Sequence, residues 1–175
     1  MQRVAVTGIS GSGKTTTARR LAARLGVPFI ELDELNHRPD WFEVGADELR
    51  ASVERALAAA PDGWVADATY VRKLGELLYE RADTLVWLDP PLSVCLRRVW
   101  RRTWRRIIRR EELWHGNRET IRGAFLVRES LFRGAVRAHR RNPSTIPARA
   151  ARHPGLRLAR LRSPAEVERF LESGG

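Results

Sequence analysis

Disulfide chemistry is closed to this chain within itself. Its 175 residues include a single cysteine, Cys95, so the fold must rest on a packed core, and a reducing, cytoplasmic setting is the simplest one. Lysine is nearly as scarce: of 32 basic residues, Lys14 and Lys73 are the two lysines and the rest are arginines. No apolar run reaches the ~18 residues needed to cross a bilayer, which excludes a helical membrane protein. The run at 4–9 is too short for a secretory leader and passes into glycines and Lys14. Internal repeats are absent, as are low-complexity tracts outside one arginine-rich stretch. No known nucleic-acid-binding motif is visible.

What is present fits a globular chain, with 43% hydrophobic and 30% charged residues. The length suits one domain spanning 1–175. The net charge of +11 is unevenly spread. Residues 1–90 carry 11 basic and 14 acidic side chains, whereas residues 91–175 carry 21 and 7. Such a basic half attracts phosphates, on a nucleotide, a nucleic acid or a lipid. Genomic composition bias accounts for arginine over lysine, but less well for the asymmetry.

Hydrophobic patterning predicts strands at 3–7, 28–32, 64–68, 84–88 and 156–161. Helices are predicted at 14–25, 46–60, 91–110, 119–141 and 164–172. Residues 142–154, with three prolines, read as a surface loop. Strands that alternate with helices and look buried on both faces argue an α/β fold, a parallel sheet with helices on each side.

The run Gly8-Ile-Ser-Gly-Ser-Gly13-Lys14-Thr15 fits G-x-x-x-x-G-K-[ST] between a predicted strand and a predicted helix. The glycines let successive N–H groups turn inward, and the helix N-terminus completes an anion cradle. Gly8, Ser10, Gly11, Ser12, Gly13, Lys14, Thr15 and Thr16 are therefore the expected nucleotide-binding residues. Lys14 supplies charge to the β- and γ-phosphates, and the Thr15 hydroxyl is placed to ligate Mg²⁺.

Ligands of open α/β sheets sit beyond the carboxyl ends of the strands, where three acids fall: Asp33, Asp67 and Asp89. Asp67 and Asp33 are the candidates for metal and acceptor; Asp89, before two prolines, also suits a turn or cap. Between 35 and 42 the chain mixes Arg38, His37, Trp41 and Phe42, a composition suited to an acceptor pocket with a phosphate clamp and an aromatic wall. Tyr70 and Arg72 follow Asp67 and can line the same pocket. Arginine pairs recur every four residues from Arg97/98 to Arg109/110, alternating with Trp and Ile, which puts apolar and basic stripes on one helix. Arg98 and Arg102, one turn apart, can hold one phosphate chain. Arg133, Arg137, Arg140 and Arg141 form a second set, so a two-helix basic hairpin would close as a lid and exclude water.

The phosphate loop, Leu32-Asp33-Glu34-Leu35 with Pro39-Asp40-Trp41, Gly63-Trp-Val-Ala-Asp67 with Tyr70, and Leu85-Val-Trp-Leu-Asp-Pro90 together resemble the adenylate-kinase-related P-loop kinases labelled DNA topology modulation proteins. The resemblance implies a nucleoside-monophosphate-kinase-like, three-layer fold with five parallel strands ordered 2-3-1-4-5 and a helical Arg-rich lid over 98–141. It implies an ATP–Mg²⁺ donor, and a small acceptor near Asp33–Trp41, with Arg98 and Arg102 matching lid-hinge arginines. Related kinases carry an acid near the Asp33 position that contacts the acceptor hydroxyl. Adenylate kinases read Asp-Gly-Phe-Pro-Arg after the third strand, where this chain has Asp67-Ala-Thr-Tyr-Val-Arg72. The arginine that grips the acceptor phosphate is absent from its usual place, although Arg72 can substitute for it, so AMP as acceptor does not follow from the fold.

The resulting expectation is a phosphotransferase that moves the γ-phosphoryl group of ATP to a nucleotide, nucleoside or other small hydroxyl acceptor, with Lys14, Asp33, Arg98 and Arg102 as catalytic residues. Thr15 and Asp67 hold the metal, and Asp33, Arg38, Trp41, Tyr70 and Arg72 bind the acceptor. A monomer or homodimer is expected. The competing reading is an ATP-switched nucleic-acid-binding protein, or a nucleoside triphosphatase, using the basic half.

Overall fold

A computed structural model describes residues 1–67, 70–120 and 131–173. Five parallel strands, β1 (Arg3–Gly8), β2 (Phe29–Glu31), β3 (Trp64–Asp67), β4 (Thr84–Leu88) and β5 (Arg157–Leu161), form one sheet in the order 2-3-1-4-5. This is the order that the resemblance implies. The helices are α1 (Lys14–Leu25), α2 (Leu32–Asn36), α3 (Ala46–Ala58), α4 (Val71–Leu74), α5 (Leu77–Arg81), α6 (Leu92–Arg109), α7 (Leu131–Ala150) and α8 (Pro164–Ser173). Short 3₁₀ turns lie at Pro39–Trp41 and Trp114–Gly116.

The strands read as unbroken apolar runs because both faces are covered. Their alternate residues enter two cores. Ala5, Ala66, Leu85 and Trp87 face a layer built from α3, α4 and α5, with Leu49, Val53, Leu74 and Leu77. Val4, Val6, Val65, Val86 and Leu88 face Ala18, Leu21 and Ala22 of α1 and Phe170 and Leu171 of α8. Edge strand β5 is less covered.

Three expectations change. Residues 142–154 are not a surface loop: α7 runs to Ala150 through Pro143 and Pro147. A proline removes one N–H and crowds the preceding turn, but here tertiary packing prevails. Ile146 and Ala150 are buried, Ile146 in the sheet core. Ser144 and Thr145 hydroxyls donate to the Arg141 carbonyl. The end of α7 is fixed where Arg149, Arg152 and His153 meet Glu76. Secondly, the helix predicted from residue 119 does not begin there. Glu119 and Thr120 lie outside regular structure, and the part predicted over 121–130 lies outside the described residues. Thirdly, the strand predicted at 28–32 ends at Glu31, and Leu32 starts α2, so Asp33 stands in a first helical turn. The predicted end of β3 at Ala68 also lies outside the described residues.

Candidate active site

The phosphate loop is held by close approach. A Cβ on Gly11 (φ 80°) would lie 2.3 Å from the Cys95 carbonyl of α6, and one on Gly8 would lie 2.6 Å from the Leu88 carbonyl. Both contacts are too short for any side chain, so these glycines set the loop directly against β4 and α6. Ser12 N–H donates to the Ile9 carbonyl at 3.1 Å, turning the loop into α1. Arg98 reaches back to donate to the Ser12 carbonyl at 3.3 Å.

Two carboxylates, Asp67 and Asp33, converge beside this loop. The Thr15 hydroxyl, in the first turn of α1, donates to Asp67 Oδ2 at 2.5 Å. Asp67 is 2% exposed, and its Oδ1 is buried without a hydrogen-bond partner. Burial pushes the Asp67 carboxyl up to about 6, against the Thr15 hydrogen bond, and nearby Asp33 adds to the rise. Burial lowers the Lys14 ammonium, while Asp33 and Asp67 pull it back up and Arg102 adds to the fall. Lys14, Asp33, Asp67 and Arg102 therefore occupy one electrostatic neighbourhood.

Opposite the loop, the Tyr70 hydroxyl donates to Asp33 Oδ1 at 2.6 Å. Burial first, then Asp33, drives the Tyr70 phenol far above its ordinary range, so it stays a donor. Tyr70 sits at φ 37°, a left-handed conformation that a bulky residue rarely adopts. Arg102 Nε is buried and unpartnered, and burial lowers its guanidinium, with Arg106 adding to the fall. Arg106 pairs with Glu119 at 2.7 Å.

Other expected residues lie elsewhere or do other work. Asp89 binds Arg160 (2.5 Å), whose guanidinium also covers the Trp87 ring at 4.1 Å, so this acid ties β4 to β5. Arg38 turns outward to Glu48 at 2.7 Å, and Arg72 is exposed on α4. Trp41 packs edge-on to His37 and to Trp114. Ser12, Gly13 and Thr16 open on a cleft of about 260 Å³ with Arg98, Ser163 and Pro164.

Sequence reasoning missed Lys73, which donates to Asn36 Oδ1 (2.6 Å) and the Val44 carbonyl (2.9 Å) and pairs with Glu43 (2.7 Å). It thereby pins the loop after α2 against α4. Its rarity was the available signal, a lysine kept in an arginine-rich chain. Asn117, Trp114 and Glu119 were missed because no local pattern marks them.

The residues present fit magnesium. Thr15 Oγ1 and the orphaned Asp67 oxygen are hard donors side by side at the phosphate loop. Among the described residues no group of three His, Cys, Asp or Glu side chains gathers as a metal site. Among the described residues no helix is long and apolar enough to cross a membrane.

A family model described as an AAA domain matches residues 4–120. The chain is similar to a shikimate kinase of Rhodopseudomonas palustris, 33% identical over 114 residues, covering 56% of this chain and 54% of that protein, about half its length. It is also similar to a shikimate kinase of Corynebacterium glutamicum, 26% identical over 162 residues, covering 86% and 95%. A solved shikimate kinase from Acinetobacter baumannii, in complex with shikimate, superposes with a TM-score of 0.59 at 17% identity, covering 99% of this chain and 90% of that one. At that identity the likeness establishes the fold.

Proposed function

The chain belongs to the AAA-domain family, and from that membership we propose that it is an ATP-dependent phosphotransferase that moves the γ-phosphoryl group to a hydroxyl of a small molecule. The observation that carries this reading is the convergence of three groups at one end of the sheet: Lys14 in the phosphate loop, the Thr15–Asp67 pair, and the Tyr70–Asp33 pair facing them. The shikimate-kinase relatives support a small hydroxylated acceptor.

Loop amides and Lys14 grip the triphosphate, and the cleft beside Ser163 and Pro164 takes the rest of the nucleotide. Thr15 and Asp67 would hold magnesium, which when bound neutralises charge on the β- and γ-phosphate oxygens. Asp33 accepts the proton of the acceptor hydroxyl as its oxygen bonds to the γ-phosphorus. The bond from that phosphorus to the β–γ bridging oxygen breaks, and ADP leaves. Tyr70 keeps Asp33 in place, and Arg102, which shares the electrostatic neighbourhood of Lys14 and Asp33, lends positive charge to the transferring group. Arg98, tied to Ser12, fixes α6 over the loop. Arg38 pairs with Glu48 and Arg72 is exposed on α4, so neither supplies the arginine clamp that an AMP-like acceptor needs. The chain acts as one domain in the cytoplasm, with the described parts of the lid being residues 98–120 and 131–141.

A phosphorylation screen with γ-labelled ATP and a metabolite panel tests this. Label is expected on a hydroxyl compound, and Lys14→Ala should slow transfer by about 10²–10³-fold with the fold intact. A panel in which no compound accelerates ATP turnover would contradict it.

A further inference from the structure

Two small hairpins, far apart in sequence, interlock at the mouth of this site. The first closes with an antiparallel bridge between His37 and Glu43, and the second with one between Glu112 and Arg118. Each tip carries residues in the left-handed region: Asp40 and Trp41 (φ 58°) in one, His115 (φ 58°) in the other. Isolated tips of this kind relax unless their surroundings hold them.

What holds them is the Asn117 side chain, which is 4% exposed. Its Oδ1 accepts the Trp41 N–H at 2.9 Å, and its Nδ2 donates to the Arg38 carbonyl at 2.8 Å and the Trp114 carbonyl at 2.9 Å. Three more contacts surround it. Trp41 Nε1 donates to the Arg118 carbonyl at 3.1 Å, and His115 Nε2 donates to the Glu34 carbonyl of α2 at 3.2 Å. The rings of His37 and Trp114 stack, with centroids 6.0 Å apart. Two residues on from Asn117, Glu119 pairs with Arg106, one turn along α6 from Arg102. On the other hairpin, His37 directly follows α2, which bears Asp33.

We propose that Asn117 is a positioning residue that joins the 37–43 loop to the 112–118 hairpin, so that the two walls of the acceptor pocket open and close as one unit. Its consequence for catalysis rests on the phosphotransferase reading, with Asp33 on one wall and Arg102 on the other. The linkage itself rests on the hydrogen bonds alone. An asparagine suits the place because one amide both accepts and donates, which neither an aspartate nor an aliphatic side chain can do at neutral pH.

Amide hydrogen exchange on the intact protein, with and without MgATP as the probe, tests the linkage. In Asn117→Ala, peptides covering 37–43 and 111–119 should both exchange about tenfold faster, while β3 and β4 keep their protection. MgATP affinity by calorimetry should stay within about twofold, because the phosphate loop is untouched. Asn117→Asp keeps the shape but sets a carboxylate against two carbonyl oxygens, and should open both segments as far as alanine does. Glu112→Gln, which loses an exposed ion pair of the same hairpin, should leave 37–43 protected. Faster exchange confined to 111–119 in Asn117→Ala would overturn the proposal, as would wild-type protection in Asn117→Asp. Linked opening without any phosphoryl transfer would defeat the phosphotransferase reading and leave the linkage standing.

Discussion

Tyr70 is the residue on which the proposed acceptor side turns. It accepts a strained backbone in order to bring its hydroxyl to Asp33. Tyr70→Phe removes a hydrogen bond to a charged group, worth about 1.5–3 kcal/mol, so steady-state kinetics should show kcat/KM reduced at least tenfold with MgATP binding retained. Asp67 shows the reverse relation between function and stability. Its carboxyl is held up at about 6 against an ordinary 3.8, so the folded chain keeps this proton more tightly than the unfolded chain does. That preference favours the fold below about pH 4 and is lost as the pH rises through about 6. Asp67→Asn should therefore raise stability by about 1–3 kcal/mol at pH 8 and barely change it at pH 4, read from urea melts at the two values, while abolishing turnover. The phosphate loop was legible in the sequence because local spacing fixes its geometry, whereas Asp33 and Asp67 were picked out only by following predicted strands, and Asp33 in fact stands in the first turn of α2. Tyr70's partner was not legible, since the hydrogen bond joins residues 37 positions apart.

Among the elements, helix α7 runs through two prolines, Pro143 and Pro147. Proline count predicts a loop over 142–154, and a lone peptide of that sequence would follow the prediction. In the protein, burial of Ile146 and Ala150 and the convergence on Glu76 outweigh the lost N–H groups. Ile146→Ala should cost about 2–4 kcal/mol in chemical denaturation, a loss that a surface loop residue would not produce. The central strands were readable almost to the residue, because burial on both faces leaves an unbroken apolar run. The short helices α2, α4 and α5 fell below what periodicity detects. Gly11→Ala belongs at this scale too. With the Cys95 carbonyl 2.3 Å from the added carbon, α6 and the loop must separate, and MgATP binding should fall by more than tenfold.

For the whole molecule, the uneven charge distribution needs no second activity. Across α6 and α7 no acidic side chain interrupts the arginines, and several of these have internal duties: Arg98 on the phosphate loop, Arg106 on Glu119, Arg149 on Glu76. The remaining surface charge predicts DNA binding that is strong at low salt and vanishes near 150 mM, through counterion release. Tight binding retained at that salt would instead favour the nucleic-acid reading. Phosphoryl transfer as proposed requires a triphosphate seated between Gly8 and Thr15. Titration calorimetry of MgATP into the folded protein, and into Lys14→Ala, measures this directly. Binding at or below millimolar concentration, weakened at least tenfold in the variant, is the expected result. Absence of heat with both MgATP and MgGTP at millimolar levels would contradict it.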